Sequence, residues 1–257
     1  MAPGCILYSA LAAHEGYTVE NHTSALEPER GEITSNDSAA SSDVGSVVRY
    51  RLEAGEVEWE IVPGRKVRGY GFNGQVPGPV LEARQGVPLE IEFTNRLPEP
   101  TVIHWQACGF RRLWTAYRWF SASSSRERPT RTASLRPTRA RSGITRITTK
   151  PSNWRRLYGA LIVRAADELA LDGEEILVFD DLRVDKSGKI AKFGGLKDRH
   201  NGREGNVRLI NGKSEPEFAI AAGHTERWRI VNASSARYVQ LSLGGLPFQI
   251  MARTADS

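Results

Sequence analysis

The sequence predicts an all-β protein made of sandwiches of short strands. Apolar and polar residues alternate over many short segments, clusters of Gly, Pro and Asn separate these segments, and no long segment with a helical period interrupts them. Short strands at this spacing are typical of sandwiches and barrels. The length of 257 residues gives room for two ordinary domains.

Residues 1–46 are expected to form a tail outside the folded core. A short apolar stretch at 5–13 precedes a polar segment, which has too few apolar residues to offset the entropy of ordering and is predicted to be disordered. The alternative is a leader, since Ala10-Leu11-Ala12 resembles a signal-peptide cleavage site. The stretch has no Lys or Arg and a short apolar core, so it is not a convincing signal peptide.

The first predicted domain covers residues 47–166. Within it VVRYRLEA, VEWEIV and LEIEFTN alternate between apolar and polar residues, with turn residues at Pro63-Gly64, Asn73-Gly74 and Gln85-Gly86. LYGALIV, at 157–163, is apolar along its length and predicts a strand buried on both faces.

The second predicted domain covers residues 167–257. The alternation lapses around 165–173, which places the domain boundary there. Further strands are predicted from the segments EEILVFDDLRV, VRLINGK, EFAIAAG, ERWRIVNAS, YVQLSLGG and PFQIM.

The net charge of +5 hides a strongly basic block at 107–156. This block contains twelve Arg and one Lys against a single acidic residue, Glu127, and it contains no Asp, His or Val. The rest of the chain is acidic, so the block is a break in composition. An Arg-rich arm that binds nucleic acid is one interpretation, but the block lacks the aromatic platforms and the basic fold of a known reader. We therefore expect no nucleic acid partner, and no apolar run is long enough to span a membrane.

Two short motifs are interpreted as ordinary turns. Gly69, Gly71 and Gly74 match the spacing of a dinucleotide fingerprint, but they lead into another strand rather than a helix. Gly212-Lys213-Ser214 lacks the upstream glycine of a phosphate loop and predicts a hairpin turn.

Residues 69–105 carry a more specific pattern, GYGFNGQVPGPVLEARQGVPLEIEFTNRLPEPTVIHW. This segment closely resembles the first cupredoxin domain of multicopper oxidases, the laccase-like family, in its NGQxPGP turn, its TNRL strand end and its IHW motif. LYGALIV resembles the strand that closes that domain, while LINGK at 209–213 and the region from ERWRIVNAS to LPFQI resemble the second domain. The resemblance implies two Greek-key cupredoxin sandwiches, the first incomplete and the second truncated.

The family resemblance implies copper chemistry. A type 1 copper would take electrons from a small reducing substrate, a phenol or a metal ion, and a trinuclear cluster held by His-x-His pairs would reduce dioxygen to water. Imidazole and thiolate ligands suit copper. By resemblance the protein would be periplasmic or extracellular.

The ligand pattern of this chain departs from that of the family. His104 matches the first histidine of the HWH pair, but the second position is Gln106, and the WYHPH strand and the third domain are absent from the sequence. Neither Cys5 nor Cys108 lies in a type 1 context. The other histidines stand singly and are expected to be ordinary; they are His14, His22, His200 and His224. We therefore expect no stoichiometric copper, with His104 as the one metal-ligand candidate.

The basic block is explained by a change of reading frame. If the codons of 137–156 are read from the third base of the first codon, permitted codons give DAGTFWYHPHHNETEQLEKG, which restores the missing copper motif. The same shift turns QACGFRRLWTA, at 106–116, into HGLRVPAAMDG. A similar shift turns MARTADS, at 251–257, into a natural continuation of the second domain. The block is therefore predicted to be frameshifted and disordered.

By resemblance the sequence is a fragment of a multicopper oxidase that is inactive as written. The alternative, from another class of function, is a copper-free β-sandwich remnant that serves only in binding or assembly.

Overall fold

A computed structural model describes residues 7–13, 47–99, 101–105, 131–135, 142–147, 157–194, 198, 202–243 and 248–253. Thirteen strands lie in these residues and form three sheets. Within the described residues no helix is long and apolar enough to cross a bilayer. The strands are β1 Leu7–Ala13, β2 Val48–Val62, β3 Arg65–Phe72, β4 Leu81–Arg84, β5 Leu89–Asn95, β6 Val102–Trp105, β7 Arg131–Leu135, β8 Ser142–Ile147, β9 Tyr158–Arg164, β10 Gly173–Leu182, β11 Val207–Ile210, β12 Thr225–Asn232 and β13 Phe248–Arg253.

The first unit is a sandwich of two four-stranded sheets. Their strand orders are β3-β2-β5-β7 and β4-β9-β8-β6. The core lies between them, where Leu52 and Ile91 of one sheet and Leu81 and Leu161 of the other belong to one buried cluster. Residues 158–163 of β9 are all buried, which confirms the buried strand predicted from LYGALIV. The all-β prediction is also confirmed.

The second unit is built on a five-stranded sheet with the order β11-β10-β12-β1-β13. Its central strands repeat the arrangement of the first unit. Strand β2 pairs with β3 antiparallel and with β5 parallel, and β10 pairs in the same way with β11 and β12. The chain therefore contains the same three-stranded motif twice.

The Asn-Gly turns after β3 and β11 show the same repeat at the level of single hydrogen bonds. Asn73 Oδ1 accepts from the amide of Glu53 at 2.7 Å, and its Nδ2 donates to the carbonyl of Arg51 at 3.0 Å. Asn211 makes the equivalent bonds to Val178 at 2.8 Å and to Ile176 at 3.0 Å. Both asparagines have a φ of 51°, in the left-handed region that two-residue hairpin turns use. The turns predicted at both places are confirmed.

Apolar residues join the two units at two places. At the first, Ile61 and Val67 of the β2–β3 hairpin share a buried cluster with Leu182 and Leu209 of the second unit. The amide of Ser214 also donates to the carbonyl of Ile61 at 2.9 Å. A second cluster contains Tyr158 and Ala160 from β9 with Val178 and Val231 from the second unit. The units are therefore packed together rather than merely connected.

Several strand predictions differ from the structure. VVRYRLEA and VEWEIV form one continuous strand, because Gly55 stays extended and pairs with Gly71. EFAIAAG forms no strand, although exposure alternates from Glu217 to Ala221, because none of the described strands pairs with it. Residues 238–242, from YVQLSLGG, also form no strand. The alternation of apolar and polar residues predicts which face of a segment is buried, but a segment forms a strand only where the fold places another strand beside it.

Strands β1, β7 and β8 lie within residues 1–46 and 107–156, the segments for which disorder is predicted. These strands pair with β12, β5 and β9 respectively, and they satisfy backbone groups that those strands would otherwise leave open. Such ladder bonds come from the main chain, so they tolerate an unusual composition. The other residues of both segments lie outside the described part of the chain.

Candidate metal centre

His104, the predicted metal ligand, lies on β6 at the edge of its sheet. Strand β6 pairs antiparallel with β8, so that His104 is opposite Thr145. Thr145 is in turn opposite Tyr158 of β9, the buried strand at the contact between the two units. The backbone of His104 is thus two strands away from the interface between the units.

The segment that leads into β6 is fixed by its own hydrogen bonds. Asn95, at the end of β5, accepts from the amide of Leu97 at 3.0 Å and donates to the carbonyl of Glu99 at 3.0 Å. Thr101 and Ile103 are both 3% exposed, and Ile103 belongs to the core cluster of the first unit. The strand that carries His104 is therefore anchored by a capped turn and by core packing.

The NGQVPGP turn positions the first unit against the second. The amide of Gly78 donates to the carbonyl of Tyr158 at 2.9 Å, which ties the turn to β9. Val76 packs with the apolar cluster between the units. In this part of the chain the NGQVPGP motif therefore has a structural role: it holds the two units in contact.

The donor set of the described residues does not fit a copper centre. No group of three or more His, Cys, Asp and Glu side chains in this part of the chain lies close enough to hold a metal ion. His224, a described histidine, is exposed, and its amide closes a turn onto Ala221. Gln106 lies outside the described residues, as do His14, His22, His200, Cys5 and Cys108. Among the described residues, His104 is the single match to the ligand pattern.

A set of charged residues around the segment 165–172 was not predicted from the sequence. Arg227 and Arg229 lie on β12 and are almost fully buried, and both pair with the carboxylates of Glu168 and Glu174. The available signal was the sequence Arg-Trp-Arg-Ile, which places two arginines on one face of an apolar strand.

Comparison with known proteins finds similarity to multicopper oxidases. A family model described as multicopper oxidase matches residues 53–116. The multicopper oxidase LPR1 homolog 1 of Oryza sativa subsp. japonica is 29% identical over 223 residues, which cover 68% of this chain and 38% of that protein. A solved multi-copper oxidase from Pseudomonas Thermotolerans superimposes with a TM-score of 0.64 at 25% identity, covering 74% of this chain and 47% of that one.

Residues 53–116 match the multicopper oxidase family model, and relatives that align with most of this chain include multicopper oxidases. Its fold is cupredoxin-like, as the resemblance implied. The cell division protein FtsP of Proteus mirabilis is a further relative, 24% identical over 208 residues that cover 73% of this chain and 41% of that protein. The chain thus spans less than half the length of each of these three relatives.

Proposed function

We propose that this chain supplies two cupredoxin units of a copper-dependent oxidase. Such an enzyme would oxidise a small reducing substrate, a phenol or a metal ion, and pass the electrons to dioxygen. The observation that carries the proposal is the duplicated three-stranded motif with His104 on β6, where the family has the first histidine of its HWH pair. A periplasmic or extracellular location belongs to the same proposal.

The chain as written is proposed to hold no stoichiometric copper and to be inactive. Copper in proteins is held by several imidazole and thiolate ligands together. In the described residues a single histidine occupies a family ligand position, and Gln106 replaces the partner that the family has two residues later. An amide side chain is a much poorer ligand for copper than an imidazole. No catalytic step is assigned to residues of this chain.

The missing ligands are proposed to have been lost by a change of reading frame across 106–156. One base added in the codon of Gln106 and two added just before that of Leu157 restore a full codon. This explains why LYGALIV returns in register after the basic block. The repaired segment would contain both His-x-His pairs of the first unit. Sequencing the gene tests the proposal directly, and an unambiguous read of the present frame, with the same block in homologous genes, would overturn it.

Copper content per chain after reconstitution tests the functional proposal. The present chain is expected to retain much less than one copper, since one imidazole does not hold it. The repaired chain is expected to retain copper, and His104→Ala in the repaired chain is expected to lose most of it. Stoichiometric copper with a blue absorption band in the present chain would refute the proposed loss of ligands. A repaired chain that binds no copper would refute the assignment of His104.

The second candidate function is a copper-free role in binding or assembly. The observation that favours it is that one relative of similar coverage is named a cell division protein rather than an oxidase. The same measurement separates the two functions, because this role predicts that neither the present nor the repaired chain retains stoichiometric copper.

A further inference from the structure

Six charged side chains meet where the segment 165–172 leads from the first unit to the second. We call them the junction cluster. It contains equal numbers of arginines and glutamates, and its members are Arg164, Arg227, Arg229, Glu82, Glu168 and Glu174. The formal charges of the six side chains therefore sum to zero.

Glu174 connects the two units within this cluster. Its Oε2 lies 2.5 Å from Nη2 of Arg164, at the end of β9 in the first unit. Its Oε1 lies 2.6 Å from Nε of Arg229, on β12 of the second unit. Arg164 also reaches Glu82 on β4, with Nη2 and Oε1 3.0 Å apart. One carboxylate therefore bridges guanidinium groups of both units.

Glu168 fixes the connecting segment itself. Its carboxylate pairs with Arg229 and lies 3.3 Å from Nη1 of Arg227. The neighbouring carbonyl of Leu169 accepts from Nη2 of Arg227 at 2.6 Å. The segment is thus held on β12 through two arginines.

The first unit shows what the same positions do without such a segment. In the ladder between β2 and β5, Arg49 is paired with Glu90, and in the ladder between β10 and β12, Glu174 is paired with Arg227. The positive and the negative residue have exchanged strands between the repeats, and the pair in the second unit is more buried than the pair in the first. The side chains of Arg49 and Glu90 are 59% and 30% exposed, whereas that of Arg227 is 7% exposed. A pair that is exposed in the first unit thus corresponds to part of a buried cluster in the second.

Because the junction cluster is buried, removing one of its charges is expected to destabilise the protein more than removing one from the exposed pair of Arg49 and Glu90. An exposed ion pair contributes little, because water solvates both charges when they separate. Removing one partner of a buried pair leaves a charge without compensation, and the penalty is large. Arg229, with no exposed side-chain surface, depends on Glu168 and Glu174 for its charge partners.

We propose that the junction cluster is an acid-sensitive clasp, in which the carboxylates of Glu168 and Glu174 hold the segment 165–172 on β12 and protonation of Glu174 releases it. The apolar clusters between the units do not titrate, so the units stay packed when the segment is released. The groups that face the two carboxylates are Arg164 from β9, which also pairs with Glu82 of β4, and Arg227 and Arg229 from β12.

The pH at which the clasp opens follows from the sign of the shift. Burial by itself would raise the pKa of Glu174, but the guanidinium groups of Arg164 and Arg229 outweigh burial and lower the pKa below its ordinary value of 4.5. A carboxylate with a lowered pKa stabilises the folded state above its unfolded pKa, and this stability is lost as pH falls through the folded pKa. The clasp is therefore closed at neutral pH and opens in acid below about pH 4.5.

Amide hydrogen exchange in the full chain tests the clasp. The amide of Asp172 donates to the carbonyl of Thr225 at 3.1 Å and reports whether the segment is attached. After correction for intrinsic rates, its protection is expected to fall roughly tenfold or more between pH 6 and pH 3, while amides of the β2–β3 hairpin keep theirs. The Glu168→Gln/Glu174→Gln variant is expected to show the low protection already at pH 7 and no step in acid.

Two further variants make the result decisive. Glu90→Gln makes the same chemical change in the equivalent, exposed pair of the first unit and is expected to leave Asp172 unchanged. The ion pairs of Glu168 are with residues of β12 and β9. If the double variant also loses protection in the β2–β3 hairpin, the single variant Glu168→Gln is therefore the one that tests the clasp. The proposal is overturned if Glu168→Gln leaves the protection of Asp172 at pH 7 unchanged, or if Glu90→Gln lowers it as much.

Discussion

Replacing Asn211 by glycine is expected to destabilise the protein by about 2–3 kcal/mol. The side chain of Asn211 makes two hydrogen bonds to the backbone of β10, at 2.8 Å to Val178 and at 3.0 Å to Ile176. Each such bond contributes about 1 kcal/mol net, and truncation also leaves two partly buried backbone groups without their partners. Glycine adopts the φ of 51° without strain, so the loss comes from the side chain rather than from the turn.

Asn73→Gly is the matched control for Asn211→Gly. Asn73 makes the same two bonds, at 2.7 Å and 3.0 Å, with the same φ. Its partners are on exposed strand positions, where water replaces the lost bonds, so the expected cost is about 1 kcal/mol. The difference between the two variants therefore measures burial at a fixed hydrogen-bond geometry.

Equilibrium unfolding in urea, followed by far-ultraviolet circular dichroism, measures both costs on one scale. Both variants are expected to lower the transition midpoint without changing its slope, because neither alters the surface exposed on unfolding. The reasoning is refuted if Asn73→Gly costs as much as Asn211→Gly. It is also refuted if Asn211→Gly costs less than about 0.5 kcal/mol, since two partly buried bonds would then contribute nothing.

Two more substitution pairs test the interface and the core by the same unfolding measurement. Gly212→Ala is expected to cost about 3 kcal/mol or more, because Gly212 has a φ of 80° and an added Cβ would lie 2.2 Å from the carbonyl oxygen of Val76 in the first unit. Gly74→Ala, with a φ of 76° and nothing within 4 Å of the added carbon, is expected to cost only the backbone strain of about 1–2 kcal/mol; equal costs would contradict the close contact. Leu161→Ala, in the core of the first sandwich, is expected to cost about 2–5 kcal/mol, against less than about 0.5 kcal/mol for Leu169→Ala, whose side chain is 58% exposed. A loss of less than about 1 kcal/mol in the free energy of unfolding for Leu161→Ala would contradict the assignment of Leu161 to the core.

The strands that sequence predicted best are those whose two faces differ. LEIEFTN forms β5 with the same bounds, and Leu89, Ile91 and Phe93 are buried while the residues between them are partly exposed. The period of two in the sequence matches the alternation of side chains in a strand, so the covered face is encoded locally. EFAIAAG has the same alternation and forms no strand, because pairing depends on which strand the fold brings beside it.

The candidate site could be predicted only in part, for a related reason. His104 was found because it stands within a specific run of motif residues, and the structure places it on β6. The junction cluster was missed because its partners are far apart in the chain: Arg164 and Glu82 are 82 residues apart, and Arg229 and Glu174 are 55 residues apart. Periodicity indicates that a charge lies on a covered face, but it does not identify the opposite charge that compensates it.

The two repeats show which features of the motif the fold constrains. Asn73 and Asn211 make the same bonds to the backbone of a neighbouring strand, and Asn95 and Asn232 each accept from the amide two residues later. These side chains satisfy backbone groups that every copy of the motif exposes, so another residue type at these positions would leave such groups open. One ladder pair satisfies no such backbone group, and its charges differ between the repeats. It is formed by Arg49 and Glu90 in the first unit and by Glu174 and Arg227 in the second, so that the positive and negative residues have exchanged strands. The pair thus became available for a contact found in the second unit, where the connecting segment covers it.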